Sequence, residues 1–345
     1  MNIIVLCGGL SMERDVSLKS GAMIAGALRE RGHKVVIIDS FFGYMGSYTD
    51  PAEIFDNPVD AEASEIPSLV PDLERIKAER AQSNDARIGD NLIEVCRAAD
   101  LVFLGLHGAD GEDGRLQAAF DIAGVKYTGS GYLGSGLAMN KDAAKRIFTA
   151  NGILTPDGKR INVRDEDKSY PCLPCVVKPK SSGSSVGTSI AHTPEEYEKA
   201  LAFGFQYEDE VLVERYIKGR EVDVGVLCGK ALPPIEIVPK SGFFDYKNKY
   251  QSGMTDEICP TDLPNDVTEK LMETAERVFG ALYLEVYARM DFIIEASTGN
   301  IYCLEANTLP GMTPASLLPK EAAVAGIEYG ELCGLIAEKS LEKYR

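Results

Sequence analysis

Between Arg289 and Asn307 the chain spells out a β-hairpin with its charges on one side. Two arms rich in strand-forming residues flank Ala296-Ser-Thr-Gly-Asn300, a run of turn residues. Centring the turn on Thr298 puts Asp291 opposite Glu305 and Arg289 opposite Asn307. Side chains alternate along a strand, so all four share one face, and the other face carries Phe292, Ile294 and Leu304. Facing carboxylates on neighbouring strands stand roughly 5 Å apart at Cβ and repel each other, a costly pairing unless a cation sits between them. Two carboxylates and an amide carbonyl are hard oxygen donors, which suit Mg2+ and not zinc. The alternative is a plain surface hairpin with its acids in water. Against it stands the segment after Asn307, Thr308-Leu-Pro-Gly311-Met-Thr-Pro-Ala-Ser316, a loop of small residues and backbone donors beside the acids. Substrate chemistry commonly sits on such loops.

The whole chain carries 53 acidic against 36 basic residues, a net charge of -17. That excludes an ordinary nucleic-acid partner, since phosphate backbones demand clustered Lys and Arg; small anions can still bind locally. At 345 residues and 45% hydrophobic, the chain is long enough for two or three cores. Its first residues lack a basic n-region, their apolar run is too short for a signal peptide, and no later run approaches about 20 apolar residues. A cytoplasmic protein without a membrane partner is expected. The eight cysteines are scattered, with Cys7, Cys96, Cys228 and Cys303 inside apolar runs. Cys172-Leu-Pro-Cys175 alone has C-x-x-C spacing. No second pair completes a zinc site, and a strand follows where a thioredoxin-like motif needs a helix, so reduced structural thiols are expected.

Residues 2 to 7 read as a buried strand, followed by Gly8-Gly9, an amphipathic helix over residues 17 to 31 and a strand over 34 to 39. That is a βαβ unit with a parallel sheet. A strand at residues 101 to 106, ending at His107, extends it. Residues 41 to 95 are acidic and weakly periodic, a surface insertion with a helix near 70 to 82. A second unit holds a helix over 136 to 151, a strand over 175 to 178, a helix over 193 to 203 and a strand over 211 to 214. A third holds a strand from 222, a long helix over 267 to 282, the hairpin and a closing helix over 329 to 342. The division is 1–129, 130–217 and 218–345.

A nucleotide is the natural companion of Mg2+, yet the chain has no G-x-x-x-x-G-K-[ST] and no G-x-G-x-x-G after a strand. The better phosphate candidate is Lys178-Pro-Lys-Ser-Ser-Gly183-Ser-Ser-Val-Gly187, a lysine at a strand end followed by a loop whose amides and hydroxyls can wrap oxygens. A floppy surface turn is the bland alternative. Lys141, in Met139-Asn-Lys-Asp, can add a second cation at a helix start.

A strand ending in Lys-Pro and a glycine loop, then Val213-Glu214-Arg-Tyr-Ile217, then the Asp291/Glu305/Asn307 cluster, resembles the ATP-grasp fold. Within it, the order of strings is similar to D-alanine:D-alanine ligases: Gly8-Gly9-Leu-Ser-Met-Glu13-Arg14-Asp-Val16-Ser17, Leu106-His107-Gly108, Gly111-Glu112-Asp113-Gly114, Tyr127-Thr-Gly-Ser-Gly131, Gly183-Ser184-Ser185-Val186-Gly187, Lys249-Tyr250 and Glu305-Ala-Asn-Thr-Leu-Pro-Gly-Met312. Each string alone is weak; in this order they are specific, and only residues 41 to 95 fall outside.

The resemblance implies an α/β, three-domain ATP-grasp fold with an N-terminal parallel-sheet, Rossmann-like domain, and an ATP-dependent ligation of two D-alanines for peptidoglycan synthesis. It assigns Asp291, Glu305 and Asn307 to two Mg2+ ions, with Mn2+ as a substitute, that bridge the phosphates of ATP. Lys141 and Lys178 would neutralise those phosphates, with Ser184, Ser185 and Lys249 beside them. Glu214, Arg215, the backbone at Ile217, and Glu221 would hold adenine and ribose, walled by Phe243 and Leu304. Glu13 would pair with the ammonium of the first D-alanine, near Val16 and Ser17, and His107 would lie near its carboxylate. Arg289 and the Gly311 amide would stabilise an oxyanion; Ser316, Leu317, Lys249 and Tyr250 would contact the second D-alanine. Residues 239 to 253, polar and aromatic between glycines, read as a lid latched by Tyr250, Ser184 and Glu13. A homodimer is the usual state of such ligases.

Three other readings compete. A D-alanine:D-serine or D-alanine:D-lactate ligase is the first; Leu317 favours a methyl group over a hydroxymethyl or an added charge, although an apolar pocket discriminates weakly. An NAD-linked oxidoreductase would use Gly8-Gly9, but the spacing is wrong. A nucleotide-binding protein without catalysis is the third.

Overall fold

The computed structural model describes residues 1–62, 71–80, 86–183, 185–240 and 255–345. Strands β1 (Asn2–Cys7), β2 (Lys34–Asp39) and β3 (Leu101–Leu104) form a parallel sheet in the order β2-β1-β3. They are apolar and buried on both faces, as a parallel sheet sandwiched between helices requires. Helix α1 (Arg14–Glu30) opens three residues before the expected start. Residues 41 to 95, expected on the surface, are only partly so. Tyr44, Ile54, Phe55, Leu92 and Val95 join the first core, and Asp60 accepts the Ile37 N–H along the flank of β2. Tyr44 and the Ile54-Phe55 pair stand isolated, and Leu92 and Val95 belong to a helix of 6 residues, so no extended period marked the segment. Helix α2 (Leu73–Glu79) does lie outside, with no buried residue, whereas α3 (Leu92–Arg97) and α4 (Arg115–Ala123) pack inward.

The helix expected over 136 to 151 is two helices, α5 (Tyr132–Met139) and α6 (Lys141–Ala150). Asn140 between them is non-helical and its side chain accepts from the Ala143 N–H, an N-cap that restarts the helix at Lys141. An antiparallel sheet follows in the order β4-β7-β5-β6, from β4 (Gly158–Asn162), β5 (Cys175–Pro179), β6 (Ser189–Ala191) and β7 (Glu210–Arg215). Helix α7 (Pro194–Gly204), capped by Thr193, covers it.

The third sheet runs β11-β10-β8-β12-β13, with β9 beside β8. Its strands are β8 (Gly219–Leu227), β9 (Lys230–Ala231), β10 (Ile235–Pro239), β11 (Thr255–Ile258), β12 (Tyr287–Glu295) and β13 (Ile301–Asn307). One face buries Val222, Val224, Met290 and Phe292 against α5, α6 and α8 (Asn265–Ala281). The opposite face carries the charges. Helix α9 (Leu317–Val324) lies against β8, and α10 (Tyr329–Glu342) returns to pack on the first sheet.

Asp291 does pair with Glu305 and Arg289 with Asn307, by a different route from the one the turn suggested. The turn closes from Glu295 to Asn300, and Ile294 pairs with Ile301. Continued unbroken, that register would set Asp291 against Leu304 and turn the acids to opposite faces. A bulge leaves Leu304 unpaired, between Cys303 opposite Phe292 and Glu305 opposite Asp291, and corrects the offset. Cys228, expected within a strand, sits exposed in the turn after β8 with φ 52.

Candidate functional site

Across β8, β12 and β13 the register aligns Asp223, Asp291 and Glu305 in one row and Gly225, Arg289 and Asn307 in the next. Arg289 is buried. Its Nε donates to Asp291 Oδ1 at 2.8 Å and lies 2.9 Å from Asp223 Oδ2, while Nη2 donates to Asp291 Oδ2 at 2.8 Å. Burial opposes the guanidinium charge, but Asp291 and Asp223 outweigh it and hold its pKa above the usual value. Burial first, then the charge of Asp291, pushes the Asp223 carboxyl well above the carboxylate range.

The donor set fits a hard cation. The Asp291 and Glu305 carboxylates face one another, and Asn307 contributes an amide oxygen that accepts the Leu309 N–H at 3.1 Å. Among the described residues no three His, Cys, Asp or Glu side chains form a ready-made metal cage. Two carboxylates completed by phosphate oxygens and water is the coordination Mg2+ prefers.

The lysines come to the same place. Lys141, buried at the start of α6, lies 3.1 Å from Glu305 Oε2 and donates to the Ser182 carbonyl in the glycine loop. Lys178 Nζ lies 2.9 Å from Glu214 Oε2, and Lys145 Nζ 2.8 Å from Oε1. Burial works against the charges of Glu214 and Lys178. For Glu214 the two lysines win and keep its pKa low; for Lys178, Glu214 and Glu305 win and raise it. For Lys145 burial prevails and lowers its pKa. In the loop itself Ser185 adopts φ 57.

From the first sheet, Glu13 reaches the glycine loop: a Cβ on Gly183 would lie 2.7 Å from its carboxylate. His107 is buried, with Nδ1 2.9 Å from the Leu309 carbonyl and Nε2 3.1 Å from Ser20 Oγ. Glu112 accepts the Leu309 N–H, so the two residues hold both backbone polar groups of Leu309 in the loop after β13. Ser17 is fully engaged, accepting from Gly8 N and donating to the Gly105 carbonyl, and Val16 is buried beside it. The Ser316 hydroxyl, close behind Gly311, accepts from Thr313 N and makes no bond to its own helix, so the first amides of α9 stay open. Leu317 packs against Ile235 and Ile237.

Not every expected residue converges. Arg215 turns to Glu295 and Tyr302 at the outer end of the hairpin, since it alternates with Glu214 on β7. Ile217 is buried just beyond that strand, Glu221 lies on the charged face opposite Ile293, and Leu304 occupies the bulge. Ser184, Phe243, Lys249 and Tyr250 lie outside the described residues. Four charged residues were missed. Lys145 follows Lys141 by one helical turn and Asp223 alternates with Glu221, both legible signals. Glu112 stood in a quoted string without a role, and nothing in sequence marks Glu321, fully buried on α9 and bonded to Gly225 N.

Residues 2–130 match the family described as D-ala D-ala ligase N-terminus, and residues 155–338 match D-ala D-ala ligase C-terminus. A D-alanine–D-alanine ligase of Lacticaseibacillus casei is 42% identical over 348 residues, covering 100% of this chain and 97% of the relative. One of Pediococcus pentosaceus is 42% identical over 342 residues, covering 96% of this chain and 95% of its own. The crystal structure of a D-alanine–D-alanine ligase from Bacillus anthracis complexed with ATP superposes with a TM-score of 0.75 at 31% identity, covering 99% and 98% of the two chains.

Proposed function

This chain belongs to the D-alanine–D-alanine ligase family, and on that premise we propose that the meeting place of its three sheets is where the two substrates react. The enzyme is an ATP-dependent ligase that makes D-alanyl-D-alanine for peptidoglycan synthesis. The finer assignments concern which residue does what.

Glu13 receives the ammonium of the first D-alanine, with His107 beside its carboxylate. A carboxylate oxygen attacks the γ-phosphorus, the bond to the bridging oxygen of ADP breaks, and a D-alanyl phosphate forms. Lys141 and Lys178 offset charge on the transferring group; Lys145 keeps Glu214 paired as Lys178 turns to phosphate. When bound at Asp291, Glu305 and Asn307, two Mg2+ ions, or Mn2+ in their place, supply charge neutralisation at the phosphate oxygens. The amine of the second D-alanine then attacks the acyl carbon, its carboxylate seated on the open amides of α9. The C–N bond forms, an oxyanion develops beside Arg289 and the Gly311 amide, and phosphate leaves. An oxyanion contact of this type is worth roughly 3 to 4 kcal/mol. Glu221 and the backbone at Ile217 hold the nucleoside, and segments 1–129, 130–217 and 218–345 act as first-substrate, ATP-covering and metal-bearing units of a cytoplasmic homodimer.

The reading is carried by one observation: a single hairpin presents Arg289, Asp291, Glu305 and Asn307 on one face, 3.1 Å from the nearest of the phosphate lysines. Its test is phosphate release from Mg-ATP by purified protein, expected only when D-alanine is present and with D-alanyl-D-alanine as product. Nucleotide binding without turnover would leave a non-catalytic protein. D-serine, offered as second substrate, is expected to lose to D-alanine at the apolar wall of Leu317, Ile235 and Ile237; D-lactate, which has the same methyl, is compared in the same assay.

A further inference from the structure

Arg289 has two carboxylate partners, and the reaction needs one of them elsewhere. Both oxygens of Asp291 accept from the guanidinium. A carboxylate engaged in this way must surrender at least one of those bonds to ligate a cation. The freed guanidinium has only buried carboxyl groups to turn to. It is 9% exposed; beyond its register partner Gly225 stand Leu318 and Glu321, whose Oε2 is also buried without a hydrogen-bond partner, whereas Asp223 is already in contact with Nε.

Asp223 supplies the missing place. It lies directly across from Asp291, its Oδ2 2.9 Å from Arg289 Nε, and it is 1% exposed with Oδ1 lacking any hydrogen-bond partner. A carboxylate that served only to pair with Arg289 in one arrangement would be expected to have both oxygens filled, because an open buried acceptor is costly. An open oxygen next to a shared donor suits a group that receives a second N–H in another state.

We propose that Asp223 is a positioning residue that holds Arg289 when Asp291 turns to the metal-bound nucleotide. The arginine then moves between two neighbouring acids, bonded by its fork to Asp291 in the arrangement seen here and to Asp223 once Asp291 is taken. Nucleotide loading and the orientation of the oxyanion donor become one event. This rests on the assignment of Asp291 to the metal.

The test is binding of a non-hydrolysable ATP analogue with and without Mg2+. In Asp223→Asn the Mg2+-dependent affinity is expected to fall about tenfold, the equivalent of one charge-assisted hydrogen bond, while metal-free affinity changes by less than about twofold. Asp291→Asn should abolish the Mg2+-dependent gain. If Asp291→Asn keeps that gain, the metal assignment itself is wrong; if Asp291→Asn loses it and Asp223→Asn does not weaken it, only the role of Asp223 is overturned. A second readout uses the unaltered enzyme, with the Arg289 Nε–H resonance identified by its loss in Arg289→Lys. On adding Mg2+ and analogue, the resonance is expected to shift and stay protected from solvent exchange. An unmoved resonance, or one lost to fast exchange, would overturn the proposal.

Discussion

Two buried charge clusters flank the hairpin, unbalanced in opposite senses. On one side Glu214 stands alone between Lys145 and Lys178. On the other Arg289 stands alone between Asp223 and Asp291, with Glu321 nearby. Removing charges from water is expensive, and a fold usually matches them in kind and number. Around Glu214 the lysines are in excess, and around Arg289 the carboxyl groups are. Under the proposed function a triphosphate with its metal would offset both excesses.

The comparison breaks first at Arg289. Arg289→Met removes the cation between Asp223 and Asp291, and kcat for dipeptide formation should fall by about 100- to 1000-fold. Metal-free ATP affinity, set on the lysine side, should change by no more than about twofold. Steady-state kinetics beside equilibrium binding checks this; equal losses in both would mean the clusters do not act separately. The lysine side is tested by its mirror image. Glu214→Gln deprives two buried lysines of the carboxylate that bridges them, and the melting temperature should drop by on the order of 5 °C. Saturating ATP should recover more of that loss than it adds to the parent enzyme, since phosphate replaces the lost charge. A variant that melts at the parent temperature without ligand would show that the pair is not held as drawn.

How far this imbalance was visible in sequence depends on how local its causes are. The hairpin, its facing residues and the strand-end Lys178 follow from period-2 alternation and turn residues, and the first parallel sheet from continuous apolar runs. The bulge at Leu304 was invisible, and the pairing of Asp291 with Glu305 was reached only because centring the turn on Thr298 and the true turn plus bulge give the same offset. At Asn140 the helix start at Lys141 was legible, but a continuous helix over 136 to 151 runs against it, and the cap decides for the break. Glu321 could not have been found, because its burial depends on α9 crossing Gly225, a contact of residues far apart in the chain. The surface reading of residues 41 to 95 failed for the same reason: short apolar groups such as Ile54-Phe55 that enter a distant core leave no extended period.

Between the clusters, His107 and Glu112 hold the Leu309 backbone, and they carry the smallest expected effect. Burial, reinforced by the charge of Glu13, raises Glu112 from 4.5 to about 8, against the pull of its two backbone hydrogen bonds. Between those values the folded protein holds a proton the unfolded chain has released, so stability falls as pH rises through the window and levels off above it. His107 runs the other way. Burial lowers its pKa from 6.5, so below that value the unfolded chain takes a proton the folded one refuses, and stability falls as pH drops. Urea midpoints measured from pH 5 to 9 should therefore pass through a maximum. Glu112→Gln removes only the alkaline descent, and the difference between variant and parent should grow towards pH 8 and then hold constant. Parallel curves would mean that Glu112 is charged throughout, and the Leu309 clamp would then join the acid face in carrying excess carboxylate charge.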